Sequence, residues 1–208
     1  MPFINFSKDE IQCKIIYYGP AFCGKTTNLR YIFSQTTEEI KGKMVSIDTQ
    51  GDRTLFFDFL SLSLGKIRGF DIRVQLYTVP GQVHYDATRK LVLKGVDGIV
   101  FVADSSKAQR GKNIESLINL AKNLAEKGIG IRTIPLVIQY NKRDLDGTDS
   151  EILPMDILEK DLNSMLKVPS FPSSALKGNG IFETLREISK LVVKDVGRKA
   201  MIFNKSSR

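Results

Sequence analysis

Apolar runs rich in β-branched and aromatic residues recur along the chain, at residues 13–18 (CKIIYY), 72–79, 98–104 and 134–141. The run at 72–79 alternates apolar and polar positions in its first half, as a half-buried strand does. The runs at 98–104 and 134–141 are continuously apolar, which is typical of strands that are covered on both faces. The pattern therefore predicts four strands, two of them inside a sheet.

Helical spacing of apolar residues occurs between and after these runs. It is clear at 113–128, which ends in a glycine, and at 180–196, which is strongly amphipathic. Residues 151–166 predict a further helix that begins near Pro154. The segment 43–70 is compatible with one strand, or with two strands joined by a loop.

Alternating strands and helices favour an α/β fold in which a mainly parallel central sheet is flanked by helices on both faces. In such sheets, ligands bind beyond the carboxyl ends of the strands. The chain has 208 residues, of which 42% are hydrophobic and 26% charged. We therefore expect one domain over residues 1–196, followed by a basic, flexible tail at 197–208.

Several classes of protein are disfavoured by the sequence. No apolar run reaches the roughly 18–20 residues that a membrane-spanning helix needs, and the N-terminus lacks the pattern of a signal peptide. Position 2 is not a glycine for myristoylation, and the C-terminus has no cysteine box for prenylation. We therefore expect a cytoplasmic protein without a lipid anchor, whose two cysteines, Cys13 and Cys23, are reduced.

The net charge of +8 is concentrated near the C-terminus, where the last 23 residues hold seven Lys or Arg and two Asp or Glu. Such an excess is compatible with an acidic partner, an anionic membrane or nucleic acid. The reading that we favour is a solvated helix face followed by a basic tail. We therefore expect no nucleic acid to bind, and no more than peripheral contact with a membrane.

Residues 19–26 (GPAFCGKT) match the pattern G-x-x-x-x-G-K-[ST] between a predicted strand and a helix predicted at 26–33. The two glycines let consecutive backbone N–H groups point at a phosphate, and the helix adds the positive end of its dipole. Lys25 is expected to contact the β- and γ-phosphates, and the Thr26 hydroxyl to ligate Mg²⁺. This loop alone leaves kinases, ATPases and GTPases open.

The base is indicated by NKRD at 141–144, which follows a predicted buried strand. The Asp144 carboxylate can accept hydrogen bonds from the ring N–H and the amino group of guanine, a pair of donors that adenine lacks. Asn141 is expected to tie the surrounding loops together, and the stem of Lys142 to cover the base. A backbone N–H in SSAL at 173–176 is expected to meet the guanine carbonyl.

Residues 78–106 narrow the function further. The sequence PGQ, a basic helix and then GVDGIVFVAD are similar to the second switch and the fourth strand of Ras-like small GTPases. With DRTLFFDF at 52–59, the chain resembles the bacterial MglA proteins, Ras-like GTPases that set cell polarity and drive gliding motility. The resemblance covers nearly all of residues 1–196 and implies a three-layer P-loop NTPase fold of the Ras type.

The resemblance also implies roles for residues of both switches. Gly81 would sense the γ-phosphate through its backbone N–H, and Gln82 would orient the attacking water. Thr54 would close on Mg²⁺, which would bring the neighbouring Arg53 to the γ-phosphate as an arginine finger in cis; the alternative for Arg53 is a solvent-exposed loop arginine. His84, the only histidine, is expected at a partner contact or in packing rather than as a general base.

Two departures from the usual Ras-like pattern lie near the expected metal. Most relatives carry Asp where this chain has Thr78, and a neutral hydroxyl cannot supply that negative charge. The MglA family shares the threonine, which predicts slow unaided hydrolysis, and Asp58 is a candidate to compensate if its strand lies beside residues 72–78. Thr54 follows Thr26 by 28 residues, a longer interval than usual, with room for an extra strand that the resemblance implies shifts register between nucleotide states.

The function implied is a GTP-hydrolysing molecular switch that uses Mg²⁺, cycles between GDP and GTP states and is slow unless stimulated. Its implied partners are a Roadblock-type activating protein (an MglB-like dimer) and polarity or motility effectors. The protein alone would be a monomer, recruited to a cell pole in the GTP state. The alternatives are a nucleotide-binding scaffold with negligible hydrolysis, which Thr78 favours, and a P-loop kinase, which PGQ and NKRD disfavour.

The predicted catalytic residues are Gln82 and Arg53, and the predicted metal ligands are Thr26 and Thr54. The residues predicted to bind the nucleotide are Gly19, Pro20, Ala21, Phe22, Cys23, Gly24, Lys25, Thr26, Thr27, Thr54, Gly81, Asn141, Lys142, Asp144, Ser174, Ala175 and Leu176.

Overall fold

The computed structural model describes residues 3–5, 9–47, 57–67, 69–148 and 151–206. Within them the chain forms one eight-stranded sheet with helices packed on both faces. The predicted three-layer α/β fold, a mainly parallel sheet between two layers of helices, is thereby confirmed.

Five neighbouring strands of the sheet are parallel, and the remaining three are antiparallel to their neighbours. The strands are β1 (Phe3–Asn5), β2 (Glu10–Tyr18), β3 (Lys41–Ile47), β4 (Phe57–Ile67), β5 (Phe70–Thr78), β6 (Gly98–Asp104), β7 (Leu136–Asn141) and β8 (Ser170–Pro172). Their order in space is β3–β4–β5–β2–β6–β7–β8, with β1 paired to β2. Because β5, β2, β6, β7 and β8 run in the same direction, the loops that follow them meet at one edge of the sheet.

The helices fill the two outer layers, and among the residues that the structure describes none of them is long and apolar enough to span a bilayer. They are α1 (Lys25–Gln35), α2 (Asp86–Val92), α3 (Arg110–Ala125), α4 (Met155–Leu162) and α5 (Ile181–Ser206).

The alternation of side chains along the strands creates one core on each face of the sheet. Along β2, Ile15 and Tyr17 belong to a cluster with α1 and α5, whereas Ile16 and Tyr18 belong to a cluster with α3 and α4. All four side chains are fully buried. A continuous apolar run is therefore required here, because both faces of the strand are covered.

The segment 43–70 contains most of β3 and all of β4, and the residues between the two strands, 48–56, lie outside the described residues. β3 occupies the long interval between Thr26 and Thr54, as the extra strand predicted there requires. On β4 the side chains of Asp58, Leu60 and Leu62 are buried together on one face. A change of register by two residues would keep this face inward, whereas a change by one would expose it; the shift itself stays a prediction.

Two helices, α4 and α5, differ most in length from their predictions. α4 begins beside Pro154, as predicted, but ends at Leu162 instead of 166. The reason is Asn163, whose side chain bonds both the N–H and the carbonyl of Val168 and so turns the chain out of the helix. α5 continues to Ser206, so the backbone of 197–206 is helical where a flexible tail is predicted.

Candidate nucleotide site

The loop that follows β2 has the backbone conformation that the phosphate-loop pattern predicts. Gly19 and Gly24 have φ angles of 147° and 102°, in a region that side chains rarely adopt. A Cβ atom on Gly19 would lie 2.1 Å from the carbonyl oxygen of Val102, and one on Gly24 would lie 2.2 Å from Asn141 Nδ2. Only glycine fits at either position. α1 begins directly after Gly24, so its unpaired N–H groups face the loop.

Lys25 is buried at the base of this loop. Its ammonium donates to the carbonyl oxygens of Gly19 at 3.0 Å and Pro20 at 2.6 Å, and lies 3.6 Å from Cys23 Sγ. Burial raises the pKa of the Cys23 thiol despite the nearby cation, so the sulfur stays neutral. The loop therefore holds one fixed positive charge at its centre, and Cys23 contributes through its backbone.

The other residues of the loop differ in exposure. Pro20 is buried, Ala21 is half-buried, and Thr27 on the first turn of α1 is exposed. Phe22 has a φ angle of 61° and is 84% exposed, which is unusual for a large apolar side chain. Its side chain therefore stands at the rim of the loop and not against the sheet.

Three oxygen-bearing side chains meet beside the first turn of α1. The Thr26 hydroxyl donates to Asp58 Oδ2 at 2.5 Å, and the Thr78 hydroxyl donates to the same oxygen at 2.9 Å. Thr78 Oγ1 also accepts the backbone N–H of Asp58 at 2.8 Å. β4 and β5 are paired here, with Phe59 opposite Tyr77, which is the arrangement that the compensating role of Asp58 requires.

This cluster of oxygen-bearing side chains fits Mg²⁺, which needs few protein ligands, better than it fits a metal that is coordinated by protein side chains alone. Mg²⁺ prefers oxygen ligands and usually takes one or two carboxylates together with phosphate oxygens and water. Among the described residues, no group of three or more His, Cys, Asp or Glu side chains is placed to hold a metal. A metal beside Thr26 would therefore share its coordination between the protein and a bound phosphate.

Asn141, at the end of β7, joins three segments that are far apart in sequence. Its Nδ2 donates to the carbonyl of Cys23 at 2.7 Å, and its Oδ1 accepts the backbone N–H of Ala175 at 2.8 Å and, more weakly, the Ser173 hydroxyl at 3.4 Å. The side chain is buried. One amide thus fixes the phosphate loop, β7 and the segment 173–176 relative to one another, as the sequence predicts.

The residues predicted to contact the base of a nucleotide lie around the Asn141 side chain. Lys142 has a left-handed backbone (φ 68°), and its ammonium pairs with Asp104 Oδ2 at 2.6 Å. Asp144 lies in a short helical turn, Arg143–Leu145, and is half-buried. Asp104 is buried at the end of β6 and also accepts from the Ser106 hydroxyl. The ion pair fixes the loop that carries Asp144.

Segment 173–176 presents its backbone toward the same edge. Ser174 and Ala175 are buried, whereas Leu176 is 76% exposed. The backbone N–H of Ala175 donates to Asn141 Oδ1 in this structure. The predicted hydrogen bond from a backbone N–H of this segment to a guanine carbonyl therefore stays a prediction.

The segment around Gly81 touches the phosphate loop directly. A Cβ atom on Gly81 would lie 2.3 Å from the backbone nitrogen of Ala21 and 2.5 Å from the oxygen of Pro20. Gln82 is exposed at the mouth of a cavity of about 480 Å³ between this loop and α3. His84 also lines the cavity and stacks on Tyr85, with ring centroids 4.2 Å apart.

Two predicted residues, Arg53 and Thr54, lie outside the described residues. Two others were not predicted and emerge only in the fold. Asp104 holds Lys142, and its position as the polar end of an apolar strand is a sequence signal that could have identified it. Arg89 of α2 is buried and contacts the segment around Gly81; its sequence context, a basic stretch of a short helix, gives no such signal.

Comparisons with known proteins agree with this geometry. Residues 3–192 match the ADP-ribosylation factor family. The chain is 56% identical to the mutual gliding-motility protein MglA of Myxococcus xanthus (strain DK1622) over 196 residues, or 94% of this chain and 98% of that protein.

Two further relatives are more distant. ADP-ribosylation factor-like protein 6 of Caenorhabditis briggsae is 26% identical over 91% of both chains. An uncharacterised protein of Methanocaldococcus jannaschii, MJ1339, is 28% identical over 69% of this chain and 77% of its own.

Proposed function

Because this chain belongs to the ADP-ribosylation factor family of small GTPases, we propose that it is a switch of the MglA type that hydrolyses GTP to GDP and phosphate. The observation that carries the proposal is the Asn141 amide. It holds the phosphate loop and the predicted base loop together at the carboxyl edge of the sheet. A nucleotide bound across this edge would contact both loops at once.

The phosphates bind to the loop that follows β2. The backbone N–H groups of residues 20–24 and the start of α1 supply donors to the α- and β-phosphates, and Lys25 supplies a positive charge to the β- and γ-phosphates. Lys25 already has its ammonium at the centre of the loop, held by carbonyls of Gly19 and Pro20. A phosphate would give the ammonium a bond to an oppositely charged group in place of these bonds to neutral carbonyls.

The base binds between the loop after β7 and segment 173–176. Asp144 accepts from the two guanine donors, and the Lys142 stem covers one face of the ring. The ion pair between Lys142 and Asp104 attaches this loop to the end of β6. An adenine would leave the Asp144 carboxylate without donors, which is costly in a site closed to water.

Mg²⁺ would be held by the Thr26 hydroxyl and, in the GTP state, by Thr54. It neutralises the charge that develops on the phosphates during hydrolysis. Asp58 takes the position that an aspartate at 78 fills in most relatives, because Thr78 and Thr26 both donate to it. The negative charge is therefore present, but it comes from a neighbouring strand.

Hydrolysis depends on both switches. The Gly81 amide contacts the γ-phosphate, Gln82 orients the attacking water, and Arg53 stabilises the charge that moves toward the leaving group. Gln82 is exposed and Thr78 carries no charge, which is consistent with slow turnover until a partner orders the switch.

We assign that role to a Roadblock-type dimer and place the output in cell polarity or motility, through effectors that bind the GTP state at a cell pole. The support for this assignment is the similarity to a protein named for mutual gliding motility.

The first experiment identifies the bound nucleotide. Protein purified without added nucleotide is denatured, and the released molecule is identified by chromatography; GTP and ATP then compete for the emptied protein. We expect retained GDP and at least about a 100-fold preference for GTP, which corresponds to about 2.7 kcal/mol. Absence of any retained guanine nucleotide together with equal affinity for ATP would refute the proposal.

Arg53 is tested by Arg53→Ala, with Arg132→Ala, an exposed arginine at the opposite edge of the sheet, as the matched control. We expect unchanged GTP affinity and a loss of about 10³-fold or more in stimulated turnover, the scale of an arginine finger. Single-turnover phosphate release with a Roadblock-type activator measures it. Undiminished stimulation would show that Arg53 does not act as an arginine finger.

The second candidate function, a nucleotide-binding scaffold with negligible hydrolysis, is favoured by Thr78 alone. The same phosphate-release assay separates the two, since a scaffold would bind GTP and release no phosphate with or without an activator.

A further inference from the structure

Arg89 is a charged side chain that is only 5% exposed. It lies on α2, the short helix that follows the Gly81–Gln82 segment. Arginines on short surface helices normally extend into water, because burying a charge is costly unless it is fully paired. The burial of Arg89 is therefore explained by the groups to which its guanidinium donates.

The guanidinium of Arg89 binds the backbone on both sides of Gly81. Nη1 donates to the carbonyl oxygen of Gln82 at 2.5 Å and to that of Pro80 at 3.4 Å. Nη2 donates to Asp86 Oδ1 at 3.2 Å. One guanidinium, whose several donors have fixed directions, thus bonds two carbonyls and a carboxylate at once.

The other side of Arg89 is anchored on α3. Its Nε donates to Asn119 Oδ1 at 2.9 Å. Asn119 Nδ2 donates to Asp86 Oδ1 at 2.8 Å, and Asn123 Nδ2 donates to the same oxygen at 2.9 Å. Tyr18, at the end of β2, donates its hydroxyl to Asn119 Oδ1. The network thus connects the segment from Pro80 to Gln82 to a strand and a long helix of the core.

The charge state of the network supports this arrangement. Partial burial works to raise the pKa of Asp86, but hydrogen bonds from Asn119, Asn123, Lys90 and Arg89 together hold that pKa well below its usual range. Asp86 is therefore a carboxylate at neutral pH and balances the charge of Arg89. The positive and negative partners stay together while the exposed Lys90 and Glu126 extend the network to the surface.

We propose that Arg89 is a positioning residue for GTP hydrolysis, which fixes the backbone from Pro80 to Gln82 against α3 so that the Gly81 amide and the Gln82 side chain face the γ-phosphate. This rests on the proposed GTPase function. In this role Arg89 acts through the backbone that it holds and not by a contact of its own with the nucleotide. The network sets how much of the segment is already ordered before a partner binds.

The test uses Arg89→Lys, which keeps the charge but cannot bond both carbonyls, Asn119 and Asp86 at once. Arg110→Lys is the matched control, since Arg110 pairs with Asp161 on an exposed part of the surface. Intrinsic hydrolysis of GTP is measured in single turnovers with Mg²⁺, together with GTP affinity and the melting temperature. We expect Arg89→Lys to reduce the hydrolysis rate about 10- to 100-fold with GTP affinity unchanged, and Arg110→Lys to change neither.

A second variant keeps the test informative if Arg89→Lys does not fold properly. Asn119→Ala leaves Arg89 in place but removes its acceptor on α3, and we expect a smaller reduction in the same direction. An unchanged rate in both variants would overturn the proposal. So would rates that fall only in proportion to lost GTP affinity or folded fraction, because that result indicates a purely structural role.

Hydrogen exchange gives a readout that does not depend on catalysis. The amides of residues 81–86 in the GDP-bound protein should exchange at least several-fold faster in Arg89→Lys than in the wild type, whereas those of α3 should not change. Equal exchange rates would overturn the positioning role. A wild-type protein that binds but never hydrolyses GTP would refute the proposed function, and the exchange experiment would still show whether Arg89 orders this segment.

Discussion

Asp144 is the residue whose charge decides which base the site accepts. Asp144→Asn replaces a carboxylate acceptor by an amide that can donate, which no longer matches guanine but does match xanthine, where a carbonyl replaces the amino group. A lost bond to a charged group costs about 1.5–3 kcal/mol. We therefore expect GTP affinity to fall about 10- to 100-fold and xanthosine triphosphate affinity to rise, as measured by competition binding.

The control for this change is Asp146→Asn, an exposed residue just beyond the same helical turn. It removes the same charge from the same loop and should leave both affinities unchanged. If the two variants lose GTP equally, the effect is one of general electrostatics and Asp144 does not contact the base.

Asp58 is the residue that connects β4 to the metal. Asp58→Asn removes the charge to which Thr26 and Thr78 donate, so the Mg²⁺ concentration needed to retain GDP should rise about tenfold. The double variant Asp58→Asn with Thr78→Asp returns a carboxylate from the adjacent strand and should recover part of the loss. Nucleotide release is followed during titration with Mg²⁺, with Asp71→Asn, at the other end of β5, as the control. A wild-type response in Asp58→Asn would exclude this metal assignment.

The sequence identifies residues whose function is encoded in a short, consecutive motif. It misses residues whose function depends on a contact with a residue that is distant in sequence. Residues 19–26 and 141–144 carry their chemistry in consecutive positions, so a pattern finds them. Arg89, Asn119 and Asn123 are polar residues on amphipathic helices and look like a solvated face. Only the fold shows that α2 and α3 bring these polar side chains together over Tyr18.

At the level of elements, the contact between β6 and α5 allows a direct test of packing. A Cβ atom on Gly98 would lie 2.3 Å from Val192 Cγ2 and 3.2 Å from Ile188 Cδ1. Gly98→Ala should therefore destabilise the protein by about 1–3 kcal/mol, the usual cost of overpacking, and lower the melting temperature. Gly111→Ala, in α3, meets open space and should stabilise by about 0.5–1 kcal/mol. A Gly98→Ala protein at least as stable as the wild type would contradict this packing.

Element boundaries are where sequence prediction is least complete, and each case has a local cause. β1 has three residues, too few for a periodicity to be visible. α4 ends early because of the Asn163 side chain, whose bonds to Val168 no pattern of apolar residues encodes. α5 extends beyond Val196, where the sequence becomes basic, because Lys and Arg are favourable residues in a helix.

At the scale of the whole molecule, the site joins loops that follow different strands of the sheet. Asn141 and Gly81 bring four loops together, so a nucleotide that contacts these loops should stabilise the folded protein as one unit. At about 1,000 times its dissociation constant a ligand adds about 4 kcal/mol. For a protein of this size each kcal/mol is worth about 2–4 °C, so GDP with Mg²⁺ should raise the melting temperature by about 8–16 °C.

Calorimetry of nucleotide-free protein checks this, with ADP as the control ligand and a chelator to remove the metal. The chelator should reduce the shift produced by GDP, and ADP should produce almost none. Equal shifts with GDP and ADP would mean that the base is not recognised.

The exposed aromatic ring at the rim of the phosphate loop also offers a way to observe the protein at work. The chain has no tryptophan, so Phe22→Trp would introduce a single indole, at a position where its side chain stands in solvent and displaces nothing. Its emission would respond to whatever approaches that rim, with no dye attached. A docking partner that covers the ring would shift the spectrum to shorter wavelengths, and stopped-flow fluorescence could then time its arrival and departure.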